Sequence, residues 1–114
     1  MAAGDFTGKG LLGPKALTTT PADSSVAGAA GVMKTINAIF IDASAAVAIR
    51  TVKIYRDAIC IYTEVFDPAG AAGLISDALV GLNVSVEEGH SYSFGQDVGA
   101  DVTVFVDGSE EELA

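Results

Sequence analysis

The one histidine, His90, and the one cysteine, Cys60, are the first places to look for chemistry in this chain. A general base needs a group to orient it and a nucleophile within reach. His90 follows the Glu88-Gly89 turn in the same parity as Tyr92 and Phe94, where a lone imidazole reads as structural or solvated. Cys60 lies in the apolar run "AICIY" and reads as a small hydrophobe; with no second cysteine it offers neither a disulfide nor a thiolate pair for a metal. Glu87-Glu88 and Glu110-Glu111-Glu112 are oxygen donors, but they lack the alternating Asp/Asn spacing around a glycine that a dedicated Ca²⁺ loop requires, which leaves adventitious cation binding. "GDFTGKGLLG" holds a Gly-Lys pair, yet Leu11 in place of Ser or Thr does not follow the pattern of a phosphate loop, and no strand leads into it. These residues predict no enzyme, no cofactor and no resident metal.

The elements that carry them read as β-strands from Val32 onward. "KTINAIFI" (34–41), "AVAIRTVKIY" (46–55), "AICIYTEV" (58–65), "LNVSVE" (82–87), "HSYSFG" (90–95) and "ADVTVFVD" (100–107) are short, rich in β-branched and aromatic residues, and separated by turn signals. Alternation places Leu82, Val84, Val86, Tyr92, Phe94, Val102, Val104 and Val106 on one inner face. Ile54, Ile59, Ile61, Val65 and either Ile36 or Ile39 supply the other. In the 46–55 strand Val47 and Ile49 oppose Val52 and Ile54, so both of its faces are expected to be covered. Asp57-Ala58 reads as a tight hairpin turn, although Ala suits a type I′ turn poorly and leaves a bulged turn open. Residues 67–81 read as a loop or short edge strand, because Gly70 and Gly73 weigh against a helix. The expected fold is an all-β antiparallel sandwich, jelly-roll or Ig-like.

Composition sets the class. A chain of 114 residues is one domain. Its mean hydropathy of +0.45 comes from dispersed Ala and Val, and no stretch approaches the ~20 apolar residues of a spanning helix, so a soluble protein without a membrane partner is expected. The N-terminus lacks the basic start and apolar run of a secretory signal, which predicts synthesis in the cytoplasm. Residues 1–56 hold all six Lys and Arg with three acids, a net +3; residues 57–114 hold twelve acids and no Lys or Arg, −12, together the −9 of the whole chain. So acidic a chain repels nucleic acid. Its charge serves as a solubilising surface or pairs the basic half of one copy with the acidic half of another.

Residues 1–31 show neither hydrophobic period, only Gly, Ala, Ser, Thr and Pro with isolated larger side chains. The expected organisation is an irregular N-terminal arm over 1–31, a sandwich over 32–109 and an acidic tail over 110–114. Such an arm could reach roughly 100 Å if extended. Ordering it costs on the order of 1–2 kcal/mol per residue, recoverable only against another surface. Phe6, Leu11, Leu12 and Leu17 are its expected anchors, with Lys9 and Lys15 pairing with acidic groups on the partner.

Leu17-Thr18-Thr19, "INAIFID" (36–42), the strand-turn Val52, Tyr55, Arg56, Asp57, the "VEEGHSYSF" hairpin (86–94) and the closing "DVTVFVDG" (101–108) together resemble small β-sandwich virion proteins of tailed bacteriophages. Ala58 departs from the Gly usual after the Asp, Asp42 from an uncharged residue, and His90 from a common Asp. The resemblance implies a capsid decoration or cement protein on the outer surface of the virion head, with the major capsid protein and other copies of itself, such as a trimer, as partners. A tail or fibre module that contacts host-surface glycans is the alternative it implies.

Overall fold

The computed structural model describes residues 6–67 and 76–113, with residues 6–9 described by their backbone alone. Eight strands follow in order: β1 (Phe6–Ala16), β2 (Ser25–Ala27), β3 (Val32–Asp42), β4 (Arg50–Arg56), β5 (Ile59–Phe66), β6 (Ser76–Val86), β7 (Ser91–Gln96) and β8 (Thr103–Glu112), with one 3-10 turn at Pro21–Asp23. They form two four-stranded sheets, ordered β1-β8-β3-β6 and β2-β7-β4-β5, and every pairing is antiparallel. The chain is an all-β sandwich. Among the described residues no helix is long and apolar enough to cross a membrane.

The core is the strip where the alternating strands meet. Val104 and Val106 turn inward while Thr103, Phe105 and Asp107 turn out, the period of two of a pleated strand. Phe66, Phe94, Ile36, Ile41, Val52, Val86 and Val102 complete it, all with less than 2% exposure or little more. Burial of one such side chain contributes about 1.5–3 kcal/mol.

Three β-bulges alter the expected faces. On β3 the register skips at Asn37, so parity flips and both Ile36 and Ile39 are buried; sequence alternation had offered only one of them. On β5, Ile54 pairs with Tyr62 but Tyr55 with Cys60. The extra residue, Ile61, turns Tyr62, Glu64 and Phe66 inward and Val65 outward. Val65 is therefore 55% exposed, Ile59 lies beyond the end of the core at 70%, and Ile61 is half exposed, a correction to the expected inner face. Opposite Ile36 and Ala38, β6 accommodates three residues, Gly81 to Asn83, with Gly81 and Asn83 at positive φ.

Connections differ from expectation too. Among the described residues only β4 and β5 form a hairpin between neighbours in sequence, through Asp57-Ala58 with Asp57 at φ 54°. The Glu87–His90 turn is a corner between sheets, because β6 and β7 belong to different ones. A Cβ on Gly28 would stand 1.8 Å from the Glu87 carbonyl, so only glycine lets the β2–β3 connection pass this corner. Of the segment 67–81, expected as a loop or short edge strand, residues 68–75 lie outside the described residues, and 76–81 are strand, the start of the edge strand β6. Val47 and Ile49 fall in the loop before β4 and are exposed, so that strand has one buried face.

The irregular arm is the largest correction. Its residues 6–16 form β1, the edge partner of β8, and residues 25–27 form β2 beside β7. Leu17 is fully buried and its N–H donates to the Val102 carbonyl at 2.7 Å. The acidic tail is likewise strand: Glu110–Glu112 continue β8 between β1 and β3.

Candidate functional site

Three of the expected anchors are used inside the molecule. Leu17 belongs to the core, and Leu11 and Leu12 pack against it. Lys15 Nζ donates to the Asp23 carbonyl. Phe6 and Lys9 lie in β1 opposite Glu111 and Gly108. Leu17, fully buried, is not open to a partner, and the side chains of Phe6 and Lys9 lie outside the described part of the structure.

Charges from the two halves of the sequence meet within the fold. Arg50 Nε and Nη2 donate to Asp101 Oδ1 and Oδ2 at 2.9 and 2.8 Å, a bidentate pair. The buried Gln96 adds an Nε2 donor to Asp101 Oδ1 at 3.0 Å and accepts from the Val102 N–H. The Arg50 hydrogen bonds, with that of Gln96, hold the Asp101 carboxyl down at about 2. This cluster ties β4, the end of β7 and the entry to β8. Lys34 stands opposite Glu110 in the strand register, but its Nζ donates to the Ala27 carbonyl at 2.8 Å.

His90 Nδ1 lies 2.9 Å from Asp57 Oδ2, and Asp57 Oδ1 accepts from the Ser91 N–H at 3.0 Å. The His90 hydrogen bond, then that of Ser91, lowers the Asp57 pKa. These contacts dock the β4–β5 turn on β7. Cys60 is exposed rather than buried, because Tyr55, its partner across the bulge, turns outward. Among the described residues no three His, Cys, Asp or Glu side chains are placed to hold a metal.

A third polar cluster lies between the edge strands of the two sheets. Tyr62 Oη donates to Glu64 Oε2 at 3.0 Å, while Glu64 Oε1 is buried. Burial, then the neighbouring Asp77, raises the Glu64 pKa; the hydrogen bond with Glu64, then that of the Ala78 N–H, lowers that of Asp77. Two carboxyls here favour sharing one proton.

The feature best suited to contact another surface is the outer face of the β1-β8-β3-β6 sheet. Ala78, Phe40 and Phe105 stand in one cross-strand row, and the two rings lie 6.1 Å apart, within the range of favourable aromatic pairs. The Phe105 ring covers Gly10, where a Cβ would come within 2.9 Å of it. Phe40 is 40% exposed and Val80 nearby 66%. Beside the rings opens a depression of about 580 Å³, floored by Phe40 and Phe105 and rimmed by Asp42, Ser76, Asp77 and Thr103. The sequence held the signal: Phe40 and Phe105 stand in the parity opposite Ile39, Ile41, Val104 and Val106. An aromatic pair in the solvent parity of two neighbouring strands forms an exposed apolar patch. No family model, curated protein or solved structure matches the chain.

Proposed function

We propose that this chain is a structural protein of a tailed-bacteriophage particle, a decoration or cement protein that attaches to the outer surface of the head and stabilises the shell. The exposed Phe40–Phe105 row carries the reading. Two aromatic rings bound on one side by Val80 and on the other by acidic and hydroxyl side chains have the make-up of a contact centre with a polar rim. The segments that resemble phage virion proteins support it, since "INAIFID" and "DVTVFVDG" carry Phe40 and Phe105 on neighbouring strands. The partner in this reading is the major capsid protein. Attachment runs through this face of the sandwich.

The test is co-sedimentation of the full chain with purified heads that lack it. Binding is expected, and Phe40→Glu should weaken it at least tenfold while leaving the circular dichroism unchanged, because truncation of a central anchor commonly costs about 2 kcal/mol or more. Protein that stays in the supernatant while binding whole host cells would replace this reading with the glycan-binding one.

A further inference from the structure

The outer face of the β2-β7-β4-β5 sheet is not flat. Residues 18–24 cross it at β7, held by the Gln96 N–H donating to the Thr18 carbonyl at 3.0 Å and the Phe94 N–H to the Ser24 carbonyl at 2.9 Å. Thr18 Oγ1 braces the segment, donating to Asp23 Oδ2 at 3.0 Å and accepting from the Thr20 N–H at 3.1 Å. Beside it Lys53 and Tyr55 rise from β4, whose Val52 and Ile54 turn inward. The strand register sets Gly95 opposite Lys53. A Cβ on Gly95 would meet Pro21 Cγ at 3.0 Å, so glycine lets the 3-10 turn settle on the sheet and leaves the floor beside it open.

The result is a notch of about 190 Å³, walled by Thr19 and Pro21 on one side and by Lys53 and Tyr55 on the other, with Asp97 at one end. Asp97 Oδ1 accepts from the Thr51 N–H at 2.9 Å, which fixes that carboxylate in place. Among the described residues no hydrogen bond or ion pair takes up Lys53 Nζ, Tyr55 Oη or Thr19 Oγ1, and Lys53 does not reach Asp97. We propose that this notch binds one neutral sugar ring, a hexopyranose unit. Its C–H face lies against Tyr55 and Pro21, and its hydroxyls are shared among Lys53, Asp97 and Thr19.

Charge and chemistry select that class. Lys53 and Asp97 set opposite charges on one small cavity, so an anion attracted by the first is repelled by the second, and a cation meets the reverse. A sugar hydroxyl both donates and accepts and can therefore satisfy an ammonium and a carboxylate in turn. The tyrosine and proline rings supply the apolar contact, and the phenol a polar edge. Size agrees. The notch holds roughly six waters at ~30 Å³ each, space for one sugar ring and below the ~300 Å³ at which drug-sized sites begin. Because the 18–24 wall is braced by its own hydrogen bonds, little ordering opposes binding. The notch stands on the sheet opposite the Phe40–Phe105 row, so it does not compete with attachment through that row.

Nuclear magnetic resonance titration of the isotope-labelled full chain with methyl α-glucoside, methyl β-galactoside and N-acetylglucosamine, each to about 50 mM, covers millimolar affinities. At least one sugar should shift the amide resonances of Thr19, Lys53, Tyr55, Gly95 and Asp97 saturably, while those of Phe40 and Phe105 stay in place. Tyr55→Ala and Lys53→Met, both on the outer face, should each raise the dissociation constant about threefold or more, the worth of one ring contact or hydrogen bond. Phe40→Glu should leave it unchanged. Where Tyr55→Ala disturbs the whole spectrum, Lys53→Met carries the test, since that side chain is exposed. No saturable shift with any of the sugars, or shifts that survive both substitutions, would overturn the proposal. Shifts at the notch with inorganic phosphate or arginine amide in place of the sugars would overturn it too, as the mark of a simple ionic contact. Neither outcome touches head attachment, which is read at Phe40.

Discussion

Two carboxyls, Asp101 and Glu64, are shifted in opposite directions, and each gives the fold's response to pH a part of its own. Asp101 is held at about 2 against an ordinary 3.8, so its ionised form is favoured by folding. Its contribution is complete above pH ~4 and is lost as pH falls toward 2. Urea midpoints measured across this window should fall, and Asp101→Asn should remove that part of the slope. Glu64 is shifted upward by burial and by Asp77. Its neutral form is favoured by folding, so its contribution is present at acid pH and lost as pH rises through its folded value. Glu64→Gln, a neutral isostere, should flatten that decline and leave the variant at least as stable as the natural chain at pH 7, read from thermal midpoints at pH 4 and pH 7. A lower midpoint at pH 7 would mean that the ionised carboxylate is satisfied where it lies.

At the scale of elements, the first 31 residues behave as part of the sandwich. β1 covers one side of β8, β2 one side of β7, and Leu17 fills the core between them. Deletion of residues 1–31 should therefore unfold the domain instead of trimming an appendage, because it bares β8 and β7 and opens a cavity. Leu17→Ala alone should cost about 2–5 kcal/mol, the usual loss for a buried leucine, measured by chemical denaturation. A truncated chain with native circular dichroism and an unchanged midpoint would show that the remaining six strands suffice.

For the whole molecule, interleaving matters more than the uneven charge of the two halves. β8, with its acids, lies between β1 and β3, which carry Lys9, Lys15 and Lys34. The bidentate Arg50–Asp101 pair consumes part of the basic half within its own chain, and pairing between copies has less charge to draw on. Much of what the molecule leaves for contact is apolar: the Phe40–Phe105 row on one sheet and the β5 side of the other.

By itself the sequence determined the class of fold and most of its strands, since alternation such as that of Val102, Val104 and Val106 and turns such as Glu88-Gly89 are local properties that need no partner. The outward parity of Phe105 was legible beside Val104 and Val106, but Phe40 shares the parity of Ile36 and is turned outward only by the bulge at Asn37. Tertiary structure decided the rest. A bulge at Asn37 or Ile61 is one inserted residue whose acceptance depends on the facing strand, and it reverses every side chain beyond it; hence Ile36 and Ile39 are both buried while Val65 is exposed. Whether β6 turns back on its own sheet or crosses to the other is set by which apolar faces can meet. The first 31 residues, rich in glycine and without a period of their own, become strand only because β8 and β7 present open backbone edges for them to pair with.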